Sequence, residues 1–342
     1  VGYGQLRSLH WLSWMNGIST FLCSMRTMVT GKGFSGGGQL GVLLGLAGAG
    51  MLMASLAALF IWKLGTGQPM GDMAEGMTNP ANAEVLKALQ VVNTFFVFLL
   101  PAFSFAYICY HQHLAALGFG EKIRWKPLLY LLLIVLFSGP LIDGLVRLNE
   151  AIPLPHHLKL IFDGLESRYE KQIALLVQTE NPAQFATSLI LVALLPAFFE
   201  EVFFRGALQN MLVRWWRKHW LALVATSVLF SAIHASWYLF IPRFALGLLL
   251  GGLLLITENI WYSIIMHFAN NALVVCFLYV QHLEGKSASV VQEPSYPGWM
   301  APIAAVAIFL LFAWLRKDQL KQIPREAFLE TNPRMQERNN VG

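Results

Sequence analysis

Apolar residues gather into eight runs along the chain, divided by short polar or basic stretches. The runs are centred on Leu40–Trp62, Leu89–Tyr110, Pro127–Leu148, Phe185–Trp215, His219–Leu239, Arg243–Ile256, Ile260–Gln281 and Trp299–Leu315. All but the sixth reach the ~20 residues a helix needs to cross hydrocarbon. The sixth, rich in glycine, needs its flanks to do so. The pattern predicts an all-α, polytopic membrane helix bundle of about eight transmembrane helices. Pro101 is expected to disturb the second span, because proline removes a backbone donor and clashes with the preceding turn. Asp143 and Arg147 are spaced i,i+4 and are expected to pair.

Between the third and fourth spans lies the longest connection, 149–184. Within it Leu158, Ile161, Phe162, Leu165, Tyr169, Ile173 and Leu176 recur at a helical period opposite a charged face. This predicts an amphipathic helix over Leu158–Val177, lying on the membrane or capping the bundle. Residues 1–38 are polar and glycine-rich and are expected to form a poorly ordered extension, with translation starting near Met28. Residues 39–184 then form a three-span region, 185–282 a four-span core, and 283–342 the last span with a charged tail.

Composition supports the membrane assignment. The 342 residues are 56% hydrophobic and 13% charged, where soluble domains carry about 25% charge. The net charge of +5 sits in loops and at the C-terminus, so topology explains it and nucleic-acid binding does not. Counting Lys and Arg on the two sides of eight spans puts both termini in the cytosol of a cell-membrane protein. The three cysteines, Cys23, Cys109 and Cys276, show no CxxC spacing, which argues against a disulfide framework or thiolate metal site.

Against this greasy background one stretch stands out: Pro196-Ala-Phe-Phe-Glu200-Glu201-Val-Phe-Phe-Arg205-Gly206. An ionisable group near a bilayer centre costs about 2.5–3.5 kcal/mol on insertion scales, so three within six residues imply partners and function. Glu201 and Arg205 are i,i+4 and can pair, while Glu200 is turned about 100° away. Candidate partners are His234 on the fifth run and His267 with Asn271 on the seventh. Asn270 is an alternative to Asn271, but spacing puts Asn271 on the His267 face. Counting ~1.5 Å per residue from the turn at Lys218 sets Glu200 and His234 at the same depth.

A buried Glu beside imidazoles can act as general base on a water, with imidazole and carboxamide N–H groups stabilising an oxyanion. Glu200, His234 and His267 could instead ligate Zn²⁺, although no HExxH occurs. A proton-coupled transporter and a non-catalytic scaffold or immunity protein are the competing classes; internal repeats that would favour the transporter are not found. Arg243, His219, Glu258, His111 and His113 fall near span ends and are expected in solvent. Gly247, Gly251 and Gly252 are expected to admit close helix contact.

The set Glu200-Glu201-x-x-x-Arg205, Phe230-x-x-x-His234 and His267-x-x-x-Asn271 resembles the CAAX protease and bacteriocin-processing family of intramembrane proteases, also termed Abi or type II CAAX prenyl endopeptidases. The resemblance covers about residues 185–278, with the motifs in the family's order. It implies an integral-membrane endopeptidase acting on a membrane-embedded or membrane-proximal peptide. It further implies that Glu200 is the general base, that His234 assists it, and that His267 and Asn271 stabilise the oxyanion. Glu201 and Arg205 would support as an ion pair orienting Glu200. A metal-free mechanism is the reading taken here, with Zn²⁺ the alternative cofactor.

Overall fold

The computed structural model describes residues 29–177, 181–284 and 296–321. Most of the N-terminal extension and the charged tail lie outside the described residues. The helices, in chain order, are α1 (Gly36–Thr66), α2 (Pro80–Cys109), α3 (Trp125–Glu150), α4 (His156–Val177), α5 (Pro182–Trp216), α6 (His219–Ala232), α7 (Phe240–Thr257), α8 (Ile260–Leu283) and α9 (Met300–Leu320). Among the described residues the only β pairing is one bridge between Gly31 and Tyr110. The architecture is an all-α polytopic bundle, and seven of its helices are long and apolar enough to cross a membrane.

The count of eight resolves into these seven and the shorter α6. The fifth run was expected to continue to Leu239, but α6 ends at Ala232 after 14 residues, about 21 Å of helix against ~30 Å of hydrocarbon. The sixth run, expected to be short, is an 18-residue helix. Hydropathy runs straight through the break. Polar groups from elsewhere make it: Asn149 of α3 donates to Trp237 O (2.8 Å) and accepts from Ile241 N (2.9 Å). Ser231 Oγ donates to Phe240 O at 2.6 Å, and Ala235 takes a left-handed φ of 50°.

Of the N-terminal extension, residues 29–38 are described. Lys32 N donates to Cys109 O and His111 N to Thr30 O, so this segment is paired to the end of α2. Helix α1 then starts at Gly36 because the Ser35 hydroxyl accepts from Gly38 N, an N-cap.

Two prolines sit directly after widened turns. Phe95–Leu99 in α2 and Leu189–Leu194 in α5 are π-helical, and Pro101 and Pro196 follow them. A ring that lacks an N–H and crowds the preceding carbonyls opens the ladder in this way. The outward faces carry Leu44, Leu52, Leu56, Phe60 and Leu64 on α1 and Ile303, Val306, Phe309 and Trp314 on α9, all exposed. Such apolar stripes suit lipid. The predicted Asp143–Arg147 pair forms at 2.9 Å.

Inside, α5 is the central helix. Its aromatic residues Phe199, Phe203 and Phe204 pack in one cluster with α1, α2 and α6. Helix α7 approaches α5 and α6 through glycines. A Cβ on Gly247 would stand 2.9 Å from Ser227 Cβ, and one on Gly251 would stand 2.4 Å from Gln209 Oε1.

Candidate active site

The second half of α5 widens again over Val202–Gln209, immediately after the glutamate pair. Wide turns of this kind recur at functional sites. Here the turn carries Arg205 inward, where it is 1% exposed. Arg205 Nη2 donates to Gly247 O at 3.2 Å, which the missing side chain of Gly247 allows. Its guanidinium lies over the Phe230 ring, 4.4 Å from the centroid. Such a cation–π contact favours the planar guanidinium over a lysine.

Glu201 is fully buried between two cationic or potentially cationic partners. Arg205 Nη1 lies 3.1 Å from Glu201 Oε1, a Coulombic contact that is off the angle of an aligned hydrogen bond. His267 Nδ1 donates to the same oxygen at 2.9 Å. The pairing with Arg205 follows the i,i+4 spacing. The link to His267 does not, because it joins α5 to α8 across the bundle. Glu201 therefore orients His267, a role the sequence had not suggested for it.

Glu200 points elsewhere. Its Oε2 is buried without a hydrogen bond among the described residues and stands 3.8 Å from His234 Nε2. His234 is half-buried in the 233–239 turn that follows α6. Its Nδ1 donates to Phe230 O at 2.7 Å, which sets the tautomer and leaves the Nε2 lone pair toward Glu200. Phe230 thus touches three members of the site: its ring also meets His234 and His267 edge-on at 5.0 and 5.7 Å.

The structure thus gathers Glu200, Glu201, Arg205, His234 and His267. Asn271 stands one turn beyond His267 on α8, half-buried, with its Oδ1 accepting from Asn270 Nδ2 at 3.5 Å. Among the described residues no three His, Cys, Asp or Glu side chains come together as a metal-ligand group. Within the Zn²⁺ set Glu200, His234 and His267, His267 gives Nδ1 to Glu201 and keeps Nε2, while Glu200 Oε2 and His234 Nε2 stand 3.8 Å apart.

Arg243 was expected in solvent and is instead part of this environment. It is half-buried, its guanidinium lies over Tyr169 of α4 at 5.3 Å, and its charge acts on both Glu200 and His234. A signal was present: Arg243, Gly247 and Gly251 are spaced i,i+4,i+8, and the glycines mark the α5-facing side of α7. His219, also expected in solvent, is buried.

A multi-pass helix bundle enclosing a Glu–His–Arg cluster defines a membrane protein with an intramembrane polar centre. Residues 182–273 match the family model described as Type II CAAX prenyl endopeptidase Rce1-like. That match overlaps the stretch over which the three motifs resemble the CAAX protease and bacteriocin-processing family. The chain is also 32% identical over 99 residues to the uncharacterized protein YpbD of Bacillus subtilis (strain 168), a match covering 28% of this chain and 48% of that protein. It thus spans about half the length of the curated relative it matches. No solved structure matches.

Proposed function

We propose that this protein is an intramembrane endopeptidase that hydrolyses a peptide bond in a membrane-embedded or membrane-proximal protein, with Glu200 as the general base. The observation that carries the reading is the 3.8 Å separation of Glu200 Oε2 and His234 Nε2. One water at an ordinary hydrogen-bond length of about 2.8 Å can touch both atoms. Glu200 takes a proton from that water as its oxygen adds to the peptide carbonyl carbon. When the C–N bond breaks, the same carboxyl returns the proton to the leaving nitrogen.

The oxyanion needs donors on the opposite side, and His267 with Asn271 are the proposed ones. With Nδ1–H given to Glu201, His267 can donate from Nε2 only as an imidazolium, and the Glu201 carboxylate beneath it supplies the balancing charge. Arg205 fixes that carboxylate. The proposed chemistry is metal-free, and both termini are placed in the cytosol. Prenylated C-terminal segments and bacteriocin-type peptides are the substrate classes the family points to.

The test is comparative proteomics of membrane fractions holding the wild type or Glu200→Ala, followed by cleavage of the identified peptide in proteoliposomes. Glu200→Ala and His234→Ala should each abolish cleavage while the protein still folds. Retained cleavage in both variants overturns the proposal, as does loss of wild-type cleavage on chelation that added Zn²⁺ restores.

A further inference from the structure

The 233–239 turn that carries His234 is held from two sides. Asn149 of α3 grips its backbone, as described. On the other side lies α4, outside the membrane-spanning set. Glu166 Oε2 accepts from Ser236 Oγ at 2.6 Å, and Ser236 Oγ in turn accepts from Leu239 N at 3.3 Å. Three residues earlier on α4, Asp163 accepts from the Tyr238 hydroxyl. Phe162 and Trp237 pack with centroids 6.0 Å apart, and Tyr169 underlies Arg243.

At about 100° per residue, Phe162, Asp163, Glu166 and Tyr169 fall within roughly a third of the helix circumference. Three contacts on this face meet the successive positions 236–238 of the turn, and the fourth meets Arg243 in the first turn of α7. The polar members matter most. A serine hydroxyl has one proton, and Glu166 takes it, which leaves the oxygen lone pairs to receive Leu239 N. The carboxylate thereby selects the hydroxyl orientation that closes the 236–239 turn.

We infer that Glu166, with Asp163, is a positioning residue for His234: through Ser236 and Tyr238, helix α4 sets the height of the His234 imidazole over Glu200. The inference rests on the proposed role of His234. Displacements of about 1 Å in a catalytic group can lower rates by about 100-fold, so the effect should fall on kcat and leave KM nearly unchanged.

The test uses the full-length protein in proteoliposomes, with Glu166→Ala, Glu166→Gln, Arg168→Ala and the Glu166→Ala/His234→Ala double variant. Glu166→Ala should lower kcat by about 10- to 100-fold and speed amide exchange within 233–241. Glu166→Gln keeps an oxygen acceptor for Ser236 and should recover most of the rate. Arg168→Ala, on the far side of α4, should change neither. In the double variant exchange within 233–241 should still be faster than in His234→Ala alone, whereas exchange equal to that of His234→Ala overturns the inference. So does a fall in kcat with unchanged exchange at 233–241, or a failure of Glu166→Gln to recover. Absence of cleavage by the wild type overturns the peptidase reading instead; the exchange comparison still tests whether α4 holds the turn.

Discussion

Glu201 Oε1 receives His267 Nδ1 at 2.9 Å and faces Arg205 Nη1 at 3.1 Å, so one fully buried carboxylate oxygen ties α5 to α8. The adjacent Glu200 has no such partner and faces His234. Two neighbouring glutamates therefore do different work. One holds the frame, and the other, the proposed base, is buried facing His234.

Removing the frame should be costly. Glu201→Ala leaves Arg205 buried without its counter-charge, and loss of one member of a buried pair destabilises by about 3–5 kcal/mol. Unfolding in detergent should show a lower midpoint in this variant. An unchanged midpoint would mean that Arg205 finds another partner.

Glu200→Gln should behave in the opposite way. Glu200 Oε2 has no hydrogen bond among the described residues, so the isosteric amide should leave the packing intact. General-base catalysis contributes about 10²–10⁴-fold, and kcat should fall by that order with the unfolding midpoint retained. Activity within a few-fold of wild type would remove Glu200 from the proposed role.

The helix contact at Gly247 can be tested by a single methyl. A Cβ there would meet Ser227 Cβ and Cα at 2.9 and 3.0 Å, and Cα belongs to backbone that cannot swing away. Overpacking costs about 1–3 kcal/mol, partly offset by alanine's ~1 kcal/mol helix preference. Gly247→Ala should therefore be net destabilising and should loosen the Arg205–Gly247 hydrogen bond. A variant more stable than wild type would contradict the close α6–α7 approach.

Asn149→Ala should mobilise the His234 turn from the α3 side. It removes an acceptor for Ile241 N and a donor to Trp237 O, each an enclosed backbone group whose loss of a partner costs about 1–3 kcal/mol. Hydrogen exchange at 237–241 should quicken, with activity falling in parallel. Exchange equal to wild type would show that α4 alone suffices to hold the turn.

The α4 tether has a definite pH sign. The Tyr238 hydroxyl, and after it Lys159, hold the Asp163 carboxyl below the usual carboxylate range. Its contribution is present above the unfolded value of about 3.9 and is lost as pH falls through the lower folded value. Proteolytic sensitivity of α4 should be flat from neutral pH to about pH 5 and rise only in stronger acid. In Tyr238→Phe that rise should begin at higher pH; coincident curves would show that the hydroxyl does not hold the carboxylate.

Much of this was legible in the chain. Hydropathy marked the bundle because hydrocarbon demands long apolar helices whatever their neighbours. The i,i+4 rule found Glu201–Arg205 and Asp143–Arg147 because both partners ride on one helix. Depth counting set His234 level with Glu200, and the structure brings them together. The glycine stripe of α7 announced close packing. These features are local, and their physics is contained in a few residues of sequence.

The rest depends on which helix lies beside which. That His267 answers to Glu201, that α6 stops at Ala232 because Asn149 and Ser231 seize the following turn, and that Arg243 lies beside the site all involve groups far apart in the chain. So does the grip of Glu166 on Ser236. A hydrogen bond between helices leaves no periodic trace along either one. The sequence by itself determined the membrane bundle and the chemical groups available to it; the tertiary structure decided which of those groups meet, because only packing brings a buried donor and acceptor within reach.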